Sequence, residues 1–200
     1  MISMKRFLLA CALCAALLCT ACTNTVELAT HPVKPTLRPD SGLKSWSSAE
    51  YNFSFSYHHT WYAADSTTAI TTLVSPAEDA TPGFREYIAF GGFFNTEQQT
   101  AAEIADAGVN DMQKLFPSIT LEESSSVQLG GAAAELRIFK GHIDDSDLGA
   151  ADDYFWHQYT WLDNDISYSL TFACTEKMAE TYLPEFEFVK STLIIDLSIA

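Results

Sequence analysis

The chain has 200 residues, with 11 Lys and Arg against 26 Asp and Glu, a formal charge of −15, and 12% Phe, Trp and Tyr. That charge excludes binding of nucleic acid or anionic lipid through a basic face. The aromatic content excludes a disordered tail, and the length suits one domain with a substantial core.

Met4, Lys5 and Arg6 give a short positive segment, and Phe7 to Leu18 is an apolar run of Phe, Leu, Ala and Cys. A membrane-crossing helix needs about 20 apolar residues, so this shorter run ending in small residues predicts a secretory signal. Four of the five cysteines (Cys11, Cys14, Cys19 and Cys22) fall here, and only Cys174 lies beyond. Thr20-Ala21-Cys22 resembles the lipobox of bacterial lipoproteins, with Cys19 where leucine is usual. The resemblance implies a signal peptide over 1–21 and a diacylglyceryl thioether on Cys22. It also implies cleavage before that residue and acylation, for instance with palmitate, of the new amino terminus. The alternative is an ordinary secreted protein with a cysteine-rich signal. One acyl chain anchors marginally, whereas two or three make release negligible. Thr23 stands where aspartate retains Gram-negative lipoproteins at the inner membrane, which implies an outer-membrane location facing the periplasm. Loss of Lys5 and Arg6 with the signal takes the net charge from −15 to −17.

Residues 22–45 hold three prolines and little periodicity and are expected to form a tether. As a flexible coil it would span roughly 25 Å. Val26-Glu27-Leu28 is the one stretch there with strand character. A folded domain is expected over 46–200.

"YNFSFSY" alternates Tyr51, Phe53, Phe55 and Tyr57 against Asn52, Ser54 and Ser56, which predicts a half-buried strand. "AITTLV" (69–74) and "EYIAFGGFF" (86–94) are two more, with Gly91-Gly92 suggesting a bulge. Thr96 with Gln99 has capping-box spacing. Ala101, Ile104, Ala105, Gly108, Met112 and Leu115 follow at helical spacing, and Pro117 stops the helix. "ITLEESSSVQL" and "AAAELRIFK" flank Gly130-Gly131, a hairpin pattern. After the acidic loop 141–153, "YFWHQYTWL" and "ISYSLTFAC" flank Asp163-Asn164-Asp165 as a second hairpin. Thr175 is placed to cap a second helix lined by Met178, Tyr182, Phe186 and Val189. Pro184 either kinks that helix or opens a new one. Leu193 to Leu197 suits a short edge strand. Hairpins make the sheet largely antiparallel, and two amphipathic helices must bury their apolar faces on it, so the class is α+β.

"FSFSYHHTW", "VQLGGAAAELRIF" and "ISYSLTFACTEKMAETYLPEFEFVKSTLII" resemble the opening strand, the glycine hairpin and the closing strand and helix of the PsbP-like family. That family includes photosystem II extrinsic subunits, a nuclear-transport cofactor and small bacterial lipoproteins of unknown function. His58 to Thr60 stand where the family carries proline and glycine. The resemblance spans residues 46–197. It implies an α/β/α sandwich, a role in binding a partner protein, and no shared catalytic residue.

His142, Asp144, Asp145, Asp147, Asp152 and Asp153 crowd the acidic loop, and oxygen-rich loops hold Ca²⁺. EF-hand spacing fails at Gly149 and no glutamate closes the loop, so a solvated acidic loop is expected. His58-His59 beside Trp61 and Tyr62 suits either a ligand site or an ordinary turn. His157 alternates with Phe155, Tyr159 and Trp161 and is expected as a paired sheet residue. Cys174 sits on the Leu170 and Phe172 face, a setting for a structural rather than a nucleophilic thiol. Trp61, Tyr62, Trp156, Tyr159 and Trp161 are either core or a protein-binding patch. The expectation is therefore a lipid-anchored, non-enzymatic protein-binding or assembly factor of a bacterial envelope. It has no catalytic residue, cofactor or metal, a membrane and an unidentified envelope protein as partners, and no nucleic acid. The alternative is a solute- or metal-binding lipoprotein using loop 141–153 or a helix–sheet pocket.

Overall fold

A computed structural model describes residues 42–64, 69–76, 84–144 and 151–197. The expected signal, Cys22 and all of the tether before Gly42 lie outside these residues, as do Asp145, Asp147 and Gly149.

Two antiparallel sheets form the frame. The small one orders β1 (Leu43–Ser48), β2 (Phe53–His58) and β10 (Ile194–Ile195) with β2 in the centre. β2 alternates as its sequence predicts, burying Phe53, Phe55 and Tyr57. β1 was not expected as a strand; it starts at Leu43, inside the segment read as tether. The large sheet orders β3 (Tyr62–Ala64), β4 (Thr71–Val74), β5 (Tyr87–Phe94), β9 (Ile166–Thr175), β8 (Asp152–Asp163), β7 (Ala132–Ile143) and β6 (Thr120–Leu129). Gly130 and Gly131 turn the β6–β7 hairpin at φ 58° and 97°, a left-handed backbone that glycine adopts without steric cost. Asn164 turns β8–β9 at φ 51°.

The two helices lie on opposite faces of the large sheet. α1 (Ala101–Leu115) buries Ile104, Ala105, Gly108 and Val109 over β7 and β8. α2 (Ala179–Thr192) buries Tyr182, Phe186 and Val189 against β2 and β9. The class is therefore the expected α+β sandwich of helix, sheet and helix, with the small sheet sharing the α2 side.

Several local expectations need correction. α1 starts after Thr100, not Thr96. Thr100 Oγ1 accepts the Glu103 amide at 3.2 Å and Glu103 returns the bond to the Thr100 amide at 2.8 Å. Residues 95–99 are already committed, because the Asn95 side chain accepts from Gln99 N at 3.0 Å and donates to Gln99 O at 2.7 Å. Thr175 makes no side-chain cap; a 3₁₀ turn over Glu176–Met178 leads into α2 instead. Pro184 lies inside α2, which runs through it. Gly91-Gly92 carries no bulge, since β5 pairs with β9 in unbroken register. Gly91 is small for another reason: a Cβ there would stand 2.8 Å from Ser169 Oγ. The bulge lies on β6, between Leu121 and Glu123. Strands β7 and β8 also reach into the loop read as 141–153, to Ile143 and from Asp152.

Candidate functional site

The side chains with the most chemistry are dispersed rather than gathered. Cys174 is fully buried and donates to the Thr175 carbonyl at 3.1 Å. Burial, then the negative charges of Glu86 and Glu176, push its thiol far above the ordinary value. Thiolate is the reactive form, so Cys174 is expected to resist iodoacetamide in the folded chain at pH 8 and to react fully in 6 M guanidinium. Fast labelling of the folded chain would contradict this burial.

His157 sits on β8 among the rings of Phe155 (5.2 Å), Phe186 (5.8 Å) and Phe172 (6.4 Å). Burial lowers its pKa, with Glu187 working against that shift, Lys190 adding to it and Glu123 opposing it. The unfolded chain then binds a proton that the folded one refuses. This histidine's stabilising contribution is complete above its ordinary pKa near 6.5 and is lost as pH falls below it. His157→Phe is expected to flatten stability between pH 6.5 and 5, measured by urea midpoints; an unchanged slope would remove His157 as the cause.

The two adjacent histidines point to different partners. His58 pairs with the Glu185 carboxylate, and its ring lies tilted 4.7 Å from that of Phe188, fastening β2 to α2. Thr192 Oγ1 adds to that seam, accepting the Ser56 amide at 3.0 Å and donating to its carbonyl at 3.2 Å. His59 Nδ1 meets the Gly42 carbonyl at 3.0 Å. In the acidic loop, His142 Nδ1 is 2.9 Å from Asp153 and its Nε2 is 3.6 Å from Asp144. Asp152 points elsewhere, taking Lys177 Nζ at 2.7 Å. Burial opposes the Asp152 charge, but the Lys177 and Asp153 bonds outweigh it and its pKa falls. Among the described residues, no three His, Cys, Asp or Glu side chains are arranged to hold a metal ion.

The aromatic surplus belongs to the core. Trp61, Trp156, Tyr159 and Trp161 are all buried. Only Tyr62 is exposed, and Arg85 covers its ring at 5.0 Å while donating to its hydroxyl at 3.0 Å.

Two arrangements escaped the sequence. The first is a polar layer under α1. Cross-strand registers place Ala89, Thr171, Gln158 and Arg137 in one row, and Gly91, Ser169, Thr160 and Glu135 in the next. Arg137 is only 3% exposed and bonds Asp106 of α1 at 2.9 Å and Glu135 at 3.1 Å. Gln158 Oε1 and Ser167 Oγ are buried with no hydrogen-bond partner among the described residues. Period-two polarity does not distinguish a solvated face from one that a helix covers, so this layer was hidden in the alternation of β9.

The second is one end of the sandwich, where five segments converge. Asn95 N donates to the Asp165 carbonyl at 2.6 Å, joining the end of β5 to the β8–β9 turn. Ile195 N donates to Gly130 O at 2.9 Å, and Asp196 N to Asn52 O at 2.8 Å. These bonds bring the C-terminal strand to the β6–β7 and β1–β2 turns. Three large apolar side chains stand exposed there: Phe94 at 74%, Ile194 at 63% and Leu197 at 39%.

No family model and no curated sequence matches the chain. Solved structures do. A cyanobacterial PsbP (CyanoP) from Synechocystis superposes with a TM-score of 0.58 at 11% identity, over 81% of this chain and 97% of that one. LpqN, described as involved in cell envelope biogenesis of Mycobacterium tuberculosis, gives 0.56 at 12% identity over 78% and 92%. A Pseudomonas aeruginosa protein of unknown function gives 0.54 at 13% identity over 79% and 100%. Such identities carry the fold and nothing more.

Proposed function

From a PsbP-like sandwich as the premise, we propose a lipid-anchored, non-enzymatic protein-binding or assembly factor of a bacterial cell envelope. The observation that carries the reading is the exposed apolar end with Phe94 and Ile194, on a body whose other large aromatics are almost all packed away. Apolar side chains left exposed at one end of a well-packed body suit a binding site. The Cys22 context supports the anchor, and no helix among the described residues is long and apolar enough to cross a membrane. LpqN, with the same fold, is described as an envelope-biogenesis protein, which agrees with the proposed compartment.

The test combines labelling and crosslinking. With the full chain expressed in a Gram-negative host, Cys22→Ser should abolish radioactive palmitate labelling and release the protein from the membrane fraction. Crosslinking in intact cells should recover one stoichiometric envelope protein. Unchanged labelling and fractionation would remove the anchor, and reproducible recovery of no partner would remove the assembly role.

A second reading, a solute-binding lipoprotein, is favoured by Gln158 Oε1, buried beside Gly108 of α1 with no hydrogen-bond partner among the described residues. Calorimetric titration with Ca²⁺, Zn²⁺, amino acids and sugars tests it; a saturable heat abolished by Gln158→Leu would move the function to that layer.

A further inference from the structure

We infer that the exposed apolar end docks a cationic protein segment, one in which lysine or arginine alternates with apolar residues. The inference rests on the protein-binding reading above and names the partner's chemistry.

The apolar contribution comes from Phe94, Ile194 and Leu197, which the fold presents rather than buries. On β5, Phe94 shares a face with Ile88 and Phe90; those two are buried, whereas Phe94 is 74% exposed. On β10, Ile195 turns inward to the core, and Ile194 therefore turns out.

The sign of the partner follows from the charges around these side chains. The converging segments carry Glu50, Glu97, Asp165 and Asp196, all exposed, and none forms an ion pair among the described residues. Residues 49–52, 94–100, 130–131, 163–165 and 193–197 contain no Lys, Arg or His. Elsewhere the body mixes its charges. Lys44, His58 and His59 lie at the other end of β1 and β2, while Lys140, His142 and Lys177 lie by the far end of the β7–β8 pair. Among the described residues these five segments thus carry negative charge only, and the opposite end is mixed. Like charge repels nucleic acid and anionic lipid, whereas opposite charge steers a basic segment to the apolar side chains.

The placement suits such a role. Leu43 pairs with His58, so the chain enters the fold at the mixed end. β8 spans 12 residues, which at about 3.3 Å each puts the two ends roughly 40 Å apart. An anchor at Cys22 would join the mixed end, leaving the acidic apolar end free for a partner.

The test titrates the purified full chain, isotope-labelled in detergent, with the pentapeptide Lys-Leu-Lys-Leu-Lys, with Glu-Leu-Glu-Leu-Glu, and with CaCl₂. The lysine peptide is expected to shift backbone resonances of 94–97, 163–165 and 194–197 saturably, and the glutamate peptide not at all. Asp165→Asn with Asp196→Asn, and separately Phe94→Ser, should each weaken binding about fivefold or more, as loss of interface anchors does. Glu122→Gln with Glu123→Gln, on the exposed β6 edge, should leave it unchanged. All these side chains are exposed, so the variants keep the fold. Absence of binding, equal loss in the β6 variant, indifference to Phe94→Ser, or the same shifts from CaCl₂ alone would each overturn the inference. A partner crosslinked in cells to another face would also overturn it, while leaving the assembly reading in place.

Discussion

Phe53→Ala is expected to lower the unfolding free energy by about 3–5 kcal/mol, the usual range for truncating a buried phenylalanine. Phe53 is 3% exposed and joins the two sheets. Its ring stacks 5.0 Å from Trp46 on β1 and 5.0 Å from Phe90 on β5. It also meets the edges of Trp161 and Tyr168, each at 6.3 Å. Alanine would leave a cavity whose walls belong to different sheets, and neither sheet can close it without moving the other. Urea denaturation of the full chain gives the loss directly. Hydrogen exchange adds the spatial signature: protection should fall first in β1, β2 and β10, and persist in β8 and β9. A loss below about 1 kcal/mol, or uniform loss of protection, would mean that Phe53 does not hold the sheets together. Because Phe53 and Phe90 share walls, the Phe53→Ala/Phe90→Ala pair should cost less than the two single changes added.

Arg137→Met is expected to cost about 2–4 kcal/mol, somewhat under the full penalty for orphaning one side of a buried pair. Arg137 lies between α1 and the sheet. Its Nε and Nη2 reach Asp106 at 2.9 and 2.8 Å, and its Nη1 reaches Glu135 at 3.1 Å and the Leu136 carbonyl at 2.9 Å. The Asp106 side chain is 61% exposed and rehydrates when released, but that of Glu135 is 18% exposed and is left without a counter-charge. Most of the cost therefore sits on Glu135. The double change Arg137→Met/Glu135→Gln should recover a large share of it, because no buried charge then remains unpaired. Thermal or urea unfolding at constant pH measures both. If the double variant were no more stable than the single one, the loss would come from packing of the arginine stem and not from the orphaned carboxylate.

The sequence alone carried the fold class, both hairpins, the buried faces of β2 and α2, and the order of the elements apart from strands β1 and β3, which it did not mark. Those features are local: Gly130-Gly131 demands a left-handed turn, and the spacings in "YNFSFSY" and from Tyr182 to Val189 repeat at strand and helix period. It also marked Cys174 as buried, since the thiol shares a strand face with Leu170 and Phe172. Capping was less legible, because Thr96 and Thr100 have equivalent neighbours in sequence and only the Asn95–Gln99 bonds make the choice. Tertiary structure alone decided three matters. It sent Trp61, Trp156 and Trp161 to the core, where aromatic composition by itself left core and surface open. It covered the polar side of β8 with α1, and it brought five separated segments to one acidic end exposing Phe94. The physical reason is common to all three. A side chain's periodicity is written in its own few neighbours, but what covers it is set by strands and helices tens of residues away.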